Sequence, residues 1–176
     1  MKLNLILAAL LFTSIATTAN AEGGYGGFAI QGTNYEADGV SDDADVNAIF
    51  LKYGRRINNT FSVEGRLGYG VSDGSVEVLG VDVDIELDKF AGIYTTARLT
   101  TDSAFKPYAI IGATYVESSA SVVGVTIEGD ETGLSYGAGV ELHIHQDAVI
   151  NLEYMSYLDK GDIEISGISL GINFQF

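Results

Sequence analysis

The last ten residues, GISLGINFQF (167–176), alternate without a break. Successive side chains of an extended chain point to opposite faces, so Ile168, Leu170, Ile172, Phe174 and Phe176 share one face and Gly167, Ser169, Gly171, Asn173 and Gln175 the other. The first face is apolar throughout, and the second is small or polar. One such strand fits a half-buried sheet and a lipid-facing sheet equally well, so the choice rests on the rest of the chain.

The same period recurs. In 134–144, Leu134, Tyr136, Ala138, Val140, Leu142 and Ile144 oppose Ser135, Gly137, Gly139, Glu141 and His143. In 148–158, Ile150, Leu152, Tyr154 and Leu158 oppose Asn151, Glu153, Met155 and Tyr157, and in 61–71, Phe61, Val63, Leu67, Tyr69 and Val71 oppose Ser62, Glu64, Arg66, Gly68 and Gly70. The segment 89–99 sets Ala91, Ile93, Ala97 and Leu99 against Phe90, Gly92, Tyr94 and Arg98. Segments 46–56 and 106–117 are strands of ambiguous parity, and 25–36 is the first strand. Charges thus collect on the small-residue face, opposite the aliphatic residues. That is the arrangement of a membrane barrel, and the reverse of a soluble barrel such as a lipocalin, which needs apolar residues inside and polar ones outside.

Eight strands follow, with connections of two kinds. Asn58-Asn59, Thr101-Asp102-Ser103 and His145-Gln146-Asp147 are tight turns, whereas 37–45, 73–86, 118–130 and 158–162 are the other connections. Short turns at one end and longer acidic loops at the other predict periplasmic turns, external loops and both termini at the periplasmic end. Two of the loops alternate in their own right, Ser75–Glu86 and Ser121–Glu128, each with β-branched arms about a glycine. We expect both to continue as hairpins beyond the bilayer, where exposed strand edges can pair with another protein's strand.

At the other end of the chain, Lys2, the apolar run 3–12 and Ala19-Asn20-Ala21 read as a cleavable export signal over 1–21, with one mature domain over 22–176. The apolar run is about half the length of a membrane-spanning helix. With no cysteine, a disulfide framework is excluded. Glycine (22) and tyrosine (10) are frequent and proline occurs once, which suits long strands with two different faces. A net charge of −15, concentrated at 36–45, 73–88, 128–131 and 159–164, argues against nucleic acid, which needs clustered bases.

The small-residue faces place Glu64, Arg66, Arg98, Glu141 and Glu153 inside the barrel, with Lys52 a sixth if its strand turns it inward. Three acids and three bases cancel, and an eight-stranded interior is only wide enough for side chains, so a salt-bridged plug is expected. A narrow ion or small-solute channel through that network is the alternative function, and a soluble ligand carrier a further one. No catalytic, cofactor or metal site emerges. His143 and His145 lie two residues apart on one strand with no third ligand, and neither a GxSxG elbow nor an HExxH motif is present.

The alternating segments, Lys106-Pro107-Tyr108, GLSYGAGVEL (133–142) and the aromatic last strand SLGINFQF (169–176) together resemble the small outer-membrane β-barrels of the OmpA and OmpX type. The resemblance covers essentially the whole mature chain. It implies an all-β, eight-stranded, antiparallel up-and-down transmembrane β-barrel in the outer membrane of a Gram-negative cell, monomeric among its lipids. It also implies that Ile172, Phe174 and Phe176 form an assembly signal read by the barrel-assembly machinery. A structural or surface-interaction role follows, in adhesion or envelope integrity, with a host or surface protein met through 75–86 and 119–129. The fold alone implies no activity.

Overall fold

The structure is a computed structural model that describes residues 23–37, 44–72, 74–78, 81–122, 125–160 and 163–176. The expected signal segment lies outside the described residues.

Among the described residues there are nine strands: β1 (Gly24–Ala37), β2 (Ala44–Arg56), β3 (Phe61–Gly70), β4 (Gly74–Val78), β5 (Val81–Arg98), β6 (Phe105–Val122), β7 (Val125–His143), β8 (Ala148–Lys160) and β9 (Ile163–Gln175). Eight of them close a ring in which every neighbour is antiparallel. The ladder runs β3-β2-β1-β9-β8-β7-β6-β5 and returns to its start because β3 pairs with β5 from Phe61↔Ala97 to Gly68↔Phe90. β4 lies outside the ring as the first arm of a hairpin on β5, from Gly74↔Ile85 to Val78↔Val81. A comparable hairpin ends β6 and β7 at Val122↔Val125. The eight-stranded barrel expected from the alternation is therefore the fold. β5 and β7 begin earlier than the lipid-facing pattern suggested, because each includes a hairpin arm.

The turns are made by local polar chemistry. Asn58 Oδ1 accepts from the amides of Thr60 (2.9 Å) and Phe61 (2.7 Å), and Ser103 Oγ accepts from the amide of Phe105 (3.1 Å). These short side chains satisfy backbone donors that the ladders leave free. The two ends of the chain meet at the same rim, where Gly24 and Phe176 exchange amide-to-carbonyl bonds of 2.9 Å each.

Alternation sorts the side chains into two environments. On β2, Leu51 is 65% exposed and Lys52 is 3% exposed. The outward set is apolar: Phe28, Ile30, Ile49, Ile93, Ile111, Leu134, Leu152, Ile168 and Leu170 form a belt around the barrel. Tyr53, Phe61, Phe105, Phe174 and Phe176 edge the belt near the turns, and Tyr69, Tyr136 and Tyr154 edge it towards the hairpins. Tyr25, Tyr94 and Tyr108 instead point inward. From Phe61 to Tyr69 along β3 is about 26 Å at ~3.3 Å per residue, or about 20 Å along the axis at a tilt of ~40°. With the rings themselves added, that matches the lipid-facing band of an outer-membrane barrel between its aromatic girdles. No helix of the described residues is long and apolar enough to cross a membrane.

Candidate functional site

The interior carries the polar chemistry, and it is layered. Near the turns, Arg98 grips Glu141 through two parallel bonds, Nε to Oε2 at 2.7 Å and Nη2 to Oε1 at 2.6 Å. One step deeper, Glu153 is a hub. It accepts from Lys52 Nζ (2.7 Å), Tyr108 Oη (2.5 Å) and Asn151 Nδ2 (2.9 Å) on one oxygen, while Arg66 Nη1 lies 2.6 Å from the other. Arg66 Nε donates to Glu64 Oε1 at 2.6 Å, and Tyr25 Oη donates to Glu64 Oε2 at 2.8 Å. The structure thus places Lys52, Glu64, Arg66, Arg98, Glu141 and Glu153 all inside, and joins four of them in one cluster and two in a separate pair. Each is buried, and opposite charges face each other at hydrogen-bond distance, as burial of ions requires.

Above the charges lies a second layer that sequence reasoning did not separate from them. Ala29, Val46, Ala48, Phe50, Leu87, Phe90, Tyr94, Ile110, Val116, Met155, Tyr157 and Ile165 form one contiguous buried apolar cluster. Phe90 stacks edge-on against Phe50 (5.6 Å between ring centres) and obliquely against Tyr157 (5.8 Å). Gly68 on the adjoining strand makes room for this: a Cβ there would come within 2.6 Å of Phe90 Cζ. The few polar atoms among these residues are paired. Tyr157 Oη donates to Gln31 Oε1, and a chain of hydroxyls links Tyr94, Thr114 and Ser135. Arg66 marks the boundary, with its guanidinium 5.3 Å from the centre of the Phe50 ring and 4.8 Å from that of Tyr94.

The signal for this layer was present in the two strands of ambiguous parity. Phe50 and Ile110 face inward while Ile49, Leu51 and Ile111 face lipid, so both faces of these strands are apolar over that stretch and period two is blurred.

The remaining singled-out residues stay apart. His143 is half-buried at the inner end of β7, and His145 is exposed in the following turn. Among the described residues no group of three or more His, Asp or Glu is placed to hold a metal ion. Ile172, Phe174 and Phe176 lie on one face of the last strand and the residue after it, with Phe176 the most exposed and its ring 6.3 Å from that of Tyr53. Just beyond the outer tyrosines, Lys89 Nζ meets Glu117 Oε2 at 2.6 Å and Tyr115 Oη donates to Glu117 Oε1 at 2.8 Å. The hydrogen bond from Lys89, followed by that from Tyr115, holds the Glu117 carboxyl below its ordinary range. This pair is exposed and screened by solvent, so it adds little to stability.

Removing the hub tests the charge layer. Glu153→Leu strands Lys52 and Arg66 with one acid between them, and should destabilise the barrel by about 3–5 kcal/mol. Lys52→Met combined with Glu153→Gln leaves the neutral Glu64–Arg66 pair and should restore much of that loss. Urea unfolding of the protein in detergent micelles measures both; additive losses in the combined variant would show that the cluster does not act as a unit.

Comparisons with known proteins agree with this geometry. The model of the outer membrane protein β-barrel domain family matches residues 5–176. The virulence membrane protein PagC of Salmonella typhimurium is 24% identical over 187 residues, covering 98% of this chain and 99% of PagC. Among solved structures, the crystal structure of Ail, the attachment invasion locus protein of Yersinia pestis, superposes with a TM-score of 0.64 at 21% identity, over 88% of this chain and 99% of Ail. Ail has also been solved in complex with the heparin analogue sucrose octasulfate, with a TM-score of 0.63 at 22% identity over the same shares. The crystal structure of Neisserial surface protein A gives a TM-score of 0.68 at 18% identity, over 90% of this chain and all of that one. The closed antiparallel ring, its lipid-facing belt and the family match over nearly its full length make this chain a member of the outer-membrane β-barrel family, resident in the outer membrane of a Gram-negative cell.

Proposed function

We propose that the chain is a monomeric surface-interaction barrel, without catalytic activity, whose hairpins over 75–86 and 119–129 engage a basic extended segment of a host or surface protein. The observation that carries this reading is the unequal length of two ladders. β6 and β7 pair from Phe105↔Leu142 out to Val122↔Val125, whereas β7 and β8 pair only as far as Tyr136↔Ser156. Among the described residues no strand pairs with that second edge of β7 over 125–135.

The ladder stops for local reasons. Register in the β8–β9 pair shifts between Ser156 and Leu158, and Met155, Ser156 and Tyr157 are all buried in succession. A bulge bends its strand and interrupts the ladder, and beyond the last backbone pair Ser135 Oγ donates to the Tyr157 carbonyl at 2.9 Å. β4, β5, β6 and β7 therefore continue outward as neighbouring strands of a sheet that ends in an open edge. Such an edge offers alternate amides and carbonyls to an incoming strand.

Charge suggests what kind of strand. Ile127, Glu128, Gly129, Asp130 and Glu131 along this edge are exposed. Eighteen of the 24 acidic residues fall at 36–45, 73–88, 117, 128–131 and 159–164, against Lys89 and Lys160 of the 9 basic ones, which accounts for essentially the whole net charge. A basic segment is drawn to such a surface and an anionic one is repelled. The polyanion bound in the Ail complex is therefore not the ligand class inferred for this chain. An outward-facing role is in keeping with the names attachment invasion locus protein and virulence membrane protein borne by Ail and PagC.

Cells displaying the protein, applied to cultured epithelial monolayers, test the reading. Replacing 75–86 and 119–129 with short turns should bring adhesion down to that of cells lacking the protein, while the barrel still shifts its electrophoretic mobility on boiling. Undiminished adhesion by the shortened barrel would refute the assignment.

We also assign Ile172, Phe174 and Phe176 as the signal recognised by the barrel-assembly machinery, because the outward aromatic end of β9 must be read before the ring closes on β1. Deleting Phe176 should slow insertion, seen in pulse-chase labelling as a longer-lived unfolded periplasmic form. Insertion at the normal rate would contradict this role.

A further inference from the structure

We propose that the barrel is sealed by the apolar layer in the outer half of its interior, and that the buried ion pairs are not the seal. The ion pairs and the bulk of the apolar cluster occupy different levels, with Tyr94 opposite Glu64 at the boundary. Counting from the turn end, Arg98 and Glu141 lie at the inner ends of β5 and β7, Glu64 and Arg66 at the fourth and sixth of the ten positions of β3, and Lys52 and Glu153 within the first half of their strands. Phe50, Phe90, Met155, Tyr157, Val116 and Ile165 all lie farther out.

The two layers differ in what they would do to a passing ion. Arg98–Glu141 is a two-residue clasp that a single rotamer change of each partner would part, and the Lys52–Glu153–Arg66–Glu64 cluster offers charged and hydrogen-bonding groups to a hydrated ion. The outer cluster offers neither. It draws side chains from β1, β2, β5, β6, β8 and β9, so it spans the barrel from wall to wall. Its largest rings interlock through Phe90, and β3 supplies only Gly68 beside that ring. Of the hydroxyls that reach this level, those of Tyr94, Thr114 and Ser135 are linked to one another, Ser135 also bonds the Tyr157 carbonyl, Tyr157 bonds Gln31, and Ser156 Oγ is left without a partner among the described residues. An ion would have to shed its water in a predominantly apolar layer where a lone hydroxyl such as that of Ser156 cannot replace a hydration shell, which is the physics of a hydrophobic gate held shut.

A salt-bridge seal and an apolar seal make opposite predictions about which side chains matter. The whole protein, refolded and reconstituted into planar phospholipid bilayers in potassium chloride, should give no open-channel steps. Arg98→Ala with Glu141→Ala should remain silent, and so should that variant with Lys52→Met and Glu153→Gln added. Phe50→Ser with Phe90→Ser should give reproducible steps. Each variant is first confirmed as folded by its mobility shift on boiling. Steps from either ion-pair variant, or a silent barrel after the two phenylalanine replacements, would overturn the proposal. If the phenylalanine variant does not fold, the ion-pair variants decide: silence supports the apolar seal and conduction refutes it.

Discussion

In hydrocarbon no water is available to satisfy a free amide or carbonyl, so every strand that crosses must be paired on both edges. Everything else in this barrel follows from that requirement. The pairings β1–β9 and β3–β5 leave no open edge within the lipid band, and the two chain ends are tied together by the Gly24–Phe176 exchange. Closure in an all-antiparallel ring demands an even number of crossings and puts both ends on one side. The edge of β7 beyond Tyr136, open among the described residues, lies past the outer tyrosines, where water can hydrate the backbone. The same backbone rule that seals the barrel therefore decides where it can present a strand to something else.

Closure also creates an interior that must be filled. Eight strands leave room for side chains and little more. This chain fills the space in two ways, by charge pairs near the turns and by aromatic and aliphatic packing towards the hairpins. The first way gives directional contacts that fix side chains in place, at the cost of desolvating six ions. The second resembles the core of a soluble protein, including a glycine, Gly68, that leaves room for the Phe90 ring. Arg66 joins them, bonded to Glu64 below and lying against Phe50 and Tyr94 above.

How far the sequence could be read depended on how different the two faces of each strand are. β9 alternates between aliphatic and small or polar residues from Gly167 onward, and its orientation is plain from 167–176 alone, although Ile165 before that stretch is aliphatic and faces inward. β3 and β8 are nearly as clear because Glu64, Arg66 and Glu153 mark the inward face. β2 and β6 are harder: Phe50 and Ile110 face inward and are as apolar as their lipid-facing neighbours, so hydrophobicity cannot tell the faces apart. For that reason the charge layer was visible before the structure and the apolar layer was not. Individual partners were also beyond reach. Period two places Glu153 inside but says nothing of Lys52, 101 positions away in the chain, whose ammonium it meets because barrel curvature brings β2 and β8 face to face. The early end of the β7–β8 ladder was hidden likewise, since it depends on a bulge at Tyr157 rather than on composition.

The central claim is that the alternating faces meet lipid outside and protein inside. Because the chain has no cysteine, single cysteines can be placed along β9 from 166 to 175, spin-labelled, and examined in bilayers by power saturation with oxygen, which partitions into lipid, and with a water-soluble nickel chelate. The account predicts oxygen accessibility that peaks at 168, 170, 172 and 174, with the nickel chelate low at those positions. Nickel-chelate maxima at the same four positions would mean that the aliphatic face is bathed in water, and the membrane barrel described here would be wrong.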